Sequence, residues 1–422
     1  MRRLMAALVV ALVLISVVPS GAPAQGRSYT DWGWPLPYEQ VSPKSIEWLK
    51  ARGWWPLTYA YQPLWLGQSV IKVAGDMKFA QKRGLEVNFA SFLAGPAVNE
   101  SIIAGKAQVG SGGPFPTTTM LSRNAPIKGL AVISYGYRHA VMVPVGSPFK
   151  RPADLRGKAV GLVVGSGAEY GYVAWAKASG LDPFRDMQVK NMPIPEQATM
   201  PKGLDAVVPW DPAVELMERD RKNATVFADT TEFMYYFGTM YVREEIVREV
   251  PDVAQALVDM FVETVLYSRS QPRQTAEFLK RDPVLDTYPL ELIEAQNQMY
   301  VNQLKPTWTY PFVSWIAVEG DRVARWLHQG GRIKTEVTAE DFRKYLVPTF
   351  MDATFKKLGW KVPGQPPYFP AGTTLETVQG WARSETQYKQ LLPYQLKSPQ
   401  PFPEPGDLVA SWMFRGKVYE PR

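Results

Sequence analysis

The stretch that decides the fold runs from Leu85 to Tyr135 and reads LEVNFASFLAGPAVNESIIAGKAQVGSGGPFPTTTMLSRNAPIKGLAVISY. Strand and helix signals alternate along it, with glycine and proline at each junction, which is typical of a βαβαβ unit with a parallel sheet. Strands are predicted over residues 85–89, 107–109 and 129–134. The helix between the first two begins at Gly95-Pro96 and ends at Gly105, where a left-handed residue commonly stops a helix.

Several polar and glycine residues follow these strands directly. Because ligands bind at the carboxyl ends of strands in an open parallel sheet, residues 91–95 and 111–115 are expected to line one wall of a cleft. Glycines here leave backbone N–H groups accessible at a helix start. The candidates from this wall, and from the loop after a first strand over 57–61, are Tyr59, Tyr61, Gln62, Trp65, Ser91, Phe92, Gly95, Gly113 and Phe115.

The composition is that of an ordinary globular protein with at least two domains, since 46% of the 422 residues are hydrophobic and 21% are charged. The net charge of +7 favours an anionic small ligand only weakly, and scattered surface charge explains it better. No basic run with interleaved aromatic residues argues for nucleic acid.

The N-terminus has the pattern of a secretory signal peptide over residues 1–24. Arg2 and Arg3 precede an apolar run from Leu4 to Val18, and an Ala-x-Ala site ends at Ala24. A membrane anchor is the alternative. Removal of this segment takes away two arginines and no acid, leaving +5. The chain has no cysteine for a disulfide or a lipid anchor, so a soluble periplasmic protein is expected.

A second unit of the same kind is predicted after residue 138. Strands over 139–145 and 159–164 are followed by Gly165-Ser166-Gly167-Ala168, which opens a helix from Glu169 to Ala178. The turn at 202–208 repeats the pattern of 104–110, in which a helix ends at glycine and a buried strand follows. The sequence therefore predicts two similar α/β lobes in tandem.

Two crossings between the lobes are expected, which makes a hinge and closure plausible. The first contains Tyr135, Tyr137, Arg138 and His139, and the second is a strand over 235–242, predicted to pair beside 139–145. The domains are then predicted as a signal peptide (1–24), an aromatic N-terminal extension (25–56), the first part of lobe I (57–138), hinge strands and lobe II (139–242), a helical return to lobe I (243–360) and a C-terminal extension wrapped on the surface (361–422).

The region from Tyr59 to Asp229 resembles the periplasmic substrate-binding proteins of nitrate, sulfonate and taurine type ABC transporters, including the thiamine-pyrimidine-precursor binders. The pieces that carry the resemblance are 84–87 (GLEV), Gly95-Pro96, 104–110 (AGKAQVG), Pro126-Ile127, 154–158 (DLRGK), 180–182 (GLD), and Gly203 with Asp205-Ala206. Gln108 stands where the family often has aspartate, and the extensions at both ends also depart from it.

This resemblance implies a two-lobed periplasmic binding protein type II fold of the α/β class, with a helical C-terminal part and an extended tail. It also implies delivery of the ligand to a membrane permease and its ATPase. Carried over by position, the ligand loops are Tyr59–Gln62, Ser91–Gly95, Gly112–Phe115, Gly165–Tyr170 and Trp210–Asp211. These add Ser166, Gly167, Tyr170, Trp210 and Asp211 to the candidates.

The chemistry of the candidates in the second lobe leaves alternatives open. Gly165-Ser166-Gly167 suits anion binding by backbone N–H groups, or is only a packing turn. Trp210 suits stacking on a planar ligand, while Asp211 either accepts a hydrogen bond from an amine or caps a helix. Arg138 suits a carboxylate or sulfonate because its fork binds two oxygens, unless it points to water. His139 lies beside it.

No enzymatic site is predicted, because the chain lacks cysteine, has only His139 and His328, and lacks a nucleophile elbow at Ser111 and Ser166. A pyrimidine synthase of this fold would need a cysteine-rich motif. No cofactor or metal is called for. The sequence therefore predicts a monomeric binding protein for a small, anionic, planar or aromatic ligand such as a sulfonate, carboxylate or pyrimidine. A sensory module that presents its closed form to a membrane receptor is the alternative.

Overall fold

A computed structural model describes residues 27–384 and 388–422. The predicted signal peptide lies outside the described residues. The N-terminal extension begins with two short strands and one helix: β1 (Ser28–Tyr29), β2 (Pro35–Leu36) and α1 (Pro43–Ala51). Ser42 caps the start of helix α1, because its hydroxyl accepts a hydrogen bond from the Ser45 N–H at 3.2 Å.

The first part of lobe I contains the βαβαβ stretch. Its elements are β3 (Leu57–Tyr61), α2 (Leu66–Ser69), α3 (Lys72–Asp76), β4 (Val87–Ser91), α4 (Gly95–Ile103), β5 (Val109–Gly112), α5 (Pro114–Ser122) and β6 (Ile127–Tyr135). Gly105 has a φ of +70°, so the chain turns out of α4 where a left-handed residue was predicted.

Lobe II follows at the first crossing. Its elements are β7 (Ala140–Pro144), β8 (Ala159–Leu162), α6 (Gly167–Ala178), β9 (Gln188–Asn191), α7 (Ile194–Gln197), β10 (Ala206–Val207), α8 (Ala213–Glu215) and β11 (Ala224–Asp229). The five strands of lobe II form one sheet in the order β11-β7-β10-β8-β9.

The return to lobe I is helical after one strand. Its elements are β12 (Phe237–Arg243), α9 (Glu244–Glu249), α10 (Pro251–Ser270), α11 (Pro272–Lys280), α12 (Leu290–Asn297), α13 (Val313–Gln329), α14 (Ala339–Tyr345) and α15 (Thr349–Leu358). The C-terminal extension adds α16 (Leu375–Ser384), β13 (Trp412–Phe414) and β14 (Lys417–Tyr419). The two-lobed mixed α/β architecture is thus the one predicted.

One strand pairing differs from the prediction. Strand β12 does return the chain to lobe I, but it lies antiparallel between β5 and β6 in a sheet ordered β4-β3-β5-β12-β6. It was expected beside β7, whose partner at the sheet edge is β11 instead. The apolar run over 235–242 can form a buried strand in the sheet of either lobe, so the hydrophobic pattern alone does not determine which sheet it joins.

Both chain extensions pack on lobe I. Trp32 and Tyr38 each donate a hydrogen bond of 2.8 Å to the Glu263 carboxylate, which pairs with buried Arg83 at 2.7 Å. Near the other end, the Trp412 indole N–H donates to the Gly33 carbonyl at 2.9 Å. The N-terminal extension is therefore held by buried polar contacts and by the C-terminal residues.

The C-terminal extension also crosses the hinge. The Tyr394 hydroxyl donates to Asp229 at the end of β11 at 2.6 Å, and the Gln390 amide donates to the Met234 carbonyl at 2.9 Å. Pro393 lies against Gly136 in the first crossing, where an added Cβ would come within 2.4 Å of the proline ring. We call residues 388–394 the hinge strap, because they contact both crossings.

Candidate functional site

A narrow cavity lies between the two lobes, with about 20 Å³ open to the centre of a water-sized sphere. It is lined by both lobes and both crossings, namely by Gln62, Trp65, Gly95, Gly113, Pro116, Tyr137, His139, Ser166, Gly167, Trp210 and Tyr236. None of these side chains is an aspartate, glutamate, lysine or arginine. The cavity is therefore polar and aromatic without a formal charge of its own at neutral pH.

Three helix N-termini meet at this cavity. Helix α4 begins at Gly95, α5 follows Gly113 and α6 begins at Gly167, and none of the three has its N-cap side chain bonded to the first turn. The first N–H groups of a helix lack partners within it and carry a partial positive charge. The small residues predicted from the strand ends thus bring helix starts from both lobes to one point.

Five rings form the rest of the wall, and we call Trp65, Tyr137, His139, Trp210 and Tyr236 the ring cluster. The Trp65 ring lies 4.9 Å from that of Tyr137 and 5.2 Å from that of Tyr236, measured between centroids. His139 lies 5.3 Å from Tyr236 and Trp210 lies 6.3 Å from Tyr137. Such a wall suits a flat or partly apolar ligand.

Hydrogen bonds across the lobes fix two members of the ring cluster. The Trp210 indole N–H donates to the Leu64 carbonyl in lobe I at 3.0 Å. The Tyr137 hydroxyl lies 2.6 Å from the same carbonyl and 2.5 Å from the carbonyl of Asp211. Leu64 therefore joins lobe I to the crossing and to lobe II.

The imidazole of His139 is uncharged at neutral pH. Burial lowers its pKa from 6.5 to about 4, although the nearby Asp229 carboxylate opposes that shift. Its backbone is held by the second crossing, because the His139 carbonyl accepts from the Thr230 N–H at 2.9 Å. A neutral imidazole can donate and accept one hydrogen bond, which suits a polar ligand in the cavity.

Eight of the sixteen candidate residues line the cavity: Gln62, Trp65, Gly95, Gly113, His139, Ser166, Gly167 and Trp210. The Ser166 hydroxyl also donates to the Val163 carbonyl at 2.6 Å. Tyr137, named in the sequence at the first crossing, lines it as well.

Four predicted residues from lobe I lie elsewhere in that lobe. Tyr59 is fully buried and stacks on Phe89 with 5.9 Å between centroids. The Tyr61 hydroxyl donates to Asp282 at 2.5 Å, on the side of the helical return. Ser91 and Phe92 end strand β4 outside the cavity lining.

Phe115 and Tyr170 form a contact between the lobes rather than a wall of the cavity. Their rings lie 5.2 Å apart, and both pack on Trp326 of α13, at 5.7 and 5.1 Å. Beside them, Arg332 forms an ion pair with buried Glu169 of α6. We call these five residues the interlobe latch, since they join α6 to lobe I and its helical return.

Arg138 and Asp211 belong to a partly buried charged cluster outside the cavity lining. The Arg138 guanidinium lies 3.4 Å from Glu215 and 3.8 Å from both Glu218 and Asp229. Asp211 accepts a hydrogen bond of 2.6 Å from the Tyr300 hydroxyl. Three carboxylates surround Arg138, so its charge is already neutralised within the protein.

Burial raises the pKa of Asp211 to about 6, and the nearby Arg138 charge only partly opposes this shift. Its other neighbours are the Tyr300 hydroxyl, the Glu215 carboxylate and the Gln296 amide. A carboxyl group with this pKa changes its protonation state close to neutral pH.

Sequence reasoning missed two residues of the lining, Pro116 and Tyr236. The signal for Tyr236 was present, because it lies in the second crossing just as Tyr137 lies in the first. Pro116 lies one residue beyond the predicted helix-start loop and carries no polar group that would mark it.

The described residues hold no group of three or more histidine, aspartate or glutamate side chains placed to bind a metal ion. Within 27–384 and 388–422 no helix is long and apolar enough to cross a membrane.

Residues 70–275 match the family model described as NMT1/THI5 like. They form an NMT1/THI5-like domain. This domain begins directly after α2 and holds both crossings, all of lobe II and every lining residue except Gln62 and Trp65. It confirms the family resemblance drawn from the sequence for this part of the chain.

Curated relatives match a similar share of the chain. A protein of Brucella abortus (strain 2308), named as a binding protein, is 28% identical over 238 residues, which cover 54% of this chain and 72% of the relative.

Solved structures match a larger share of the chain. The periplasmic nitrate-binding protein NrtA from Synechocystis PCC 6803 is similar with a TM-score of 0.62 and 14% identity, covering 78% of this chain and 98% of that one. The periplasmic aliphatic sulphonate binding protein SsuA from Escherichia coli has a TM-score of 0.56 and 20% identity, covering 71% and 98%. These likenesses establish the periplasmic binding protein fold around the NMT1/THI5-like domain.

Proposed function

We propose that this chain is the periplasmic solute-binding component of an ABC importer, which captures a small molecule between its lobes and delivers it to a membrane permease and its ATPase. One observation carries the proposal: the cavity is closed by both lobes and both crossings, and three helix N-termini meet there. The structural neighbours NrtA and SsuA, named as nitrate- and sulphonate-binding proteins, support the same function.

The mechanism is capture followed by closure. A ligand first meets one lobe, and closure then adds contacts from the other, so the contacts made only in the closed state shift the equilibrium towards it. The lining residues from the two lobes and the crossings supply these contacts. No step of covalent chemistry is part of this mechanism, and we propose that the chain is not an enzyme.

The ligand we propose is small, planar or partly apolar, and rich in acceptor oxygens, as in a sulfonate, a carboxylate or a pyrimidine-like compound. The ring cluster supplies flat apolar surface, and the helix N-termini favour an anion or the negative end of a dipole. Arg138 takes no part in this proposal, because its three carboxylate neighbours already neutralise it. We also propose that residues 1–24 direct export of the protein and that it acts as a monomer.

The experiment that tests the function is native mass spectrometry of the mature protein as purified, with release and identification of any bound molecule. A compound bound at one copy per chain is the expected result. Trp210→Ala should then lower its affinity at least tenfold, whereas Trp48→Ala, in the N-terminal extension, should leave it unchanged. A protein that binds none of a panel of anions, carboxylates and pyrimidines by calorimetry would contradict the proposal.

A further inference from the structure

Tyr236 occupies the point where the two lobes face each other. It lies in the second crossing, directly before β12, and its carbonyl accepts a hydrogen bond of 2.8 Å from the Gly136 N–H in the first crossing. The backbone of Tyr236 therefore ties the two crossings together. Its ring is only 6% exposed and lines the cavity.

The ring fills the space between two helix starts. A Cβ added at Gly113, before α5 of lobe I, would lie 2.0 Å from the Tyr236 hydroxyl oxygen. A Cβ added at Gly167, at the start of α6 of lobe II, would lie 2.5 Å from its Cε2. Both distances are shorter than any real contact, so glycine at these two positions is what lets the ring sit there.

The far side of the same ring is packed against other rings. Trp65 lies 5.2 Å and His139 lies 5.3 Å from it, between centroids. The Tyr137 ring also stacks on it at 5.9 Å, so the Tyr236 ring is held between two backbone segments and three rings. The ring therefore occupies part of the space between the lobes that a ligand could otherwise fill.

The hydroxyl of Tyr236 has an unused hydrogen-bonding capacity. Among the residues that the structure describes, no side chain or backbone group forms a hydrogen bond with it. Burial raises its pKa well above 10, so it remains a donor at neutral pH. Because Tyr236 lines the cavity, this hydroxyl is placed to donate to an acceptor atom of a ligand.

From these contacts we propose that Tyr236 is the specificity-determining residue of the site: its ring limits the size of the ligand, and its hydroxyl donates to a ligand oxygen. This inference rests on the proposed function. It restricts the ligand class to compact molecules, in which an acceptor group carries at most a short substituent, and it excludes an aromatic ring beside the acceptor group.

The test uses the mature full-length chain and five probes: methanesulfonate, butanesulfonate, benzenesulfonate, acetate and benzoate. Calorimetric affinities are compared between the wild-type protein, Tyr236→Phe and Tyr236→Ala, with folding checked by circular dichroism. If the alanine variant does not fold, Tyr236→Leu replaces it. Tyr241→Phe is the matched control, since Tyr241 is a buried tyrosine on the neighbouring strand outside the cavity.

We expect the wild-type protein to prefer the one- or two-carbon probes. The phenylalanine variant should bind them about three- to tenfold more weakly with the same size preference. The alanine or leucine variant should gain at least tenfold for benzenesulfonate or benzoate.

Two results overturn the inference, and they are distinguishable. If the wild-type protein binds a probe and the alanine and leucine variants keep its order of preference, Tyr236 does not determine specificity and the binding function stands. If no folded variant and no wild-type sample binds any probe, the proposed function fails for this ligand class, and the role of Tyr236 fails with it.

Discussion

Two glycines in the cavity are there because a side chain would collide with Tyr236. Gly113→Ala and Gly167→Ala should each lower the free energy of unfolding by about 1–3 kcal/mol, because a buried ring would have to move. Urea unfolding measures this. Gly380 is the control, since it lies in α16 with no atom within 4 Å of an added Cβ. Its change to alanine should stabilise the protein by up to about 1 kcal/mol. Equal effects at all three positions would contradict the packing described here.

Two buried titratable residues, one basic and one acidic, should make opposite contributions to the pH dependence of stability. His139 has a pKa lowered to about 4, so its contribution is full above about 6.5 and is lost as the pH falls towards 4. Asp211 has a pKa raised to about 6, so it favours the folded state at pH 4 and this contribution is lost as the pH rises through 6. Each amounts to roughly 3 kcal/mol, and in the wild-type protein they largely cancel.

Removing one of the two groups should make the contribution of the other to the pH dependence of stability measurable. Asp211→Asn keeps an acceptor for Tyr300, and the unfolding free energy of this variant should rise with pH between 4 and 6.5 relative to the wild-type protein. His139→Gln should show the reverse slope. The measurement is urea unfolding at half-unit pH steps. Parallel curves for both variants and the wild-type protein would show that neither group titrates as described.

At the scale of single elements, the interlobe latch links helix α6 to the helical return. Replacing Arg332 with glutamine would leave the buried Glu169 carboxylate without its cation, at a cost of about 1–2 kcal/mol, since Arg332 itself is 40% exposed. Because the pair joins the lobes, this cost falls on the closed form. Ligand affinity should drop about five- to thirtyfold, and small-angle scattering should report a larger radius of gyration.

The control for the latch is Arg343→Gln, which removes an exposed pair with Glu340 on α14. It should leave affinity and radius unchanged. An affinity loss of the same size in both variants would mean that Arg332 acts through general charge and not through closure.

Elements with strong local signals were predictable from the sequence. Strand β3, helix α4 and helix α6 lie where apolar periodicity and glycine stops placed them, because those signals act within a few residues. The stretch from Gln62 to Arg83 carries the sequence pattern of one helix ending at Gly84, but it forms α2, α3 and a short 3₁₀ turn. Its residues pack on several neighbours, and those contacts break the helix into pieces.

The site was predictable only where backbone geometry defines it. Glycines at helix starts mark Gly95, Gly113 and Gly167, since few other residues allow so close an approach. The environment of Arg138 depends on Glu215, Glu218 and Asp229, which lie far away along the chain. No local sequence pattern indicates that these carboxylates contact Arg138. The same holds for Tyr170, whose partners Phe115 and Trp326 come from the other lobe and the helical return.

For the whole molecule, the hinge strap should set how easily the lobes open. Tyr394→Phe removes a hydrogen bond of 2.6 Å to Asp229 while keeping the ring, whose centroid lies 5.3 Å from the Arg138 guanidinium. The closed form then loses about 1–2 kcal/mol of stabilisation relative to the open form, since hydrogen bonds to charged groups are among the stronger ones. The dissociation rate of the ligand, followed by stopped-flow tryptophan fluorescence, should rise at least fivefold.

A matched tyrosine lies in the same extension. Tyr419 is partly exposed in β14, away from the crossings, and its change to phenylalanine should leave the dissociation rate unchanged. If Tyr394→Phe releases the ligand no faster than Tyr419→Phe, the strap does not restrain the hinge.

The contact between Gly33 and Trp412 affects the order in which parts of the chain can reach their final structure during synthesis. The Asp31 carbonyl accepts from the Arg415 N–H at 2.9 Å, so the first described residues reach their final contacts only after ribosomes have added residues 412–415. Lobe II can form earlier, because its sheet uses only strands from residues 140–229. During synthesis, the N-terminal extension therefore remains without its last partner until the C-terminal residues have been added.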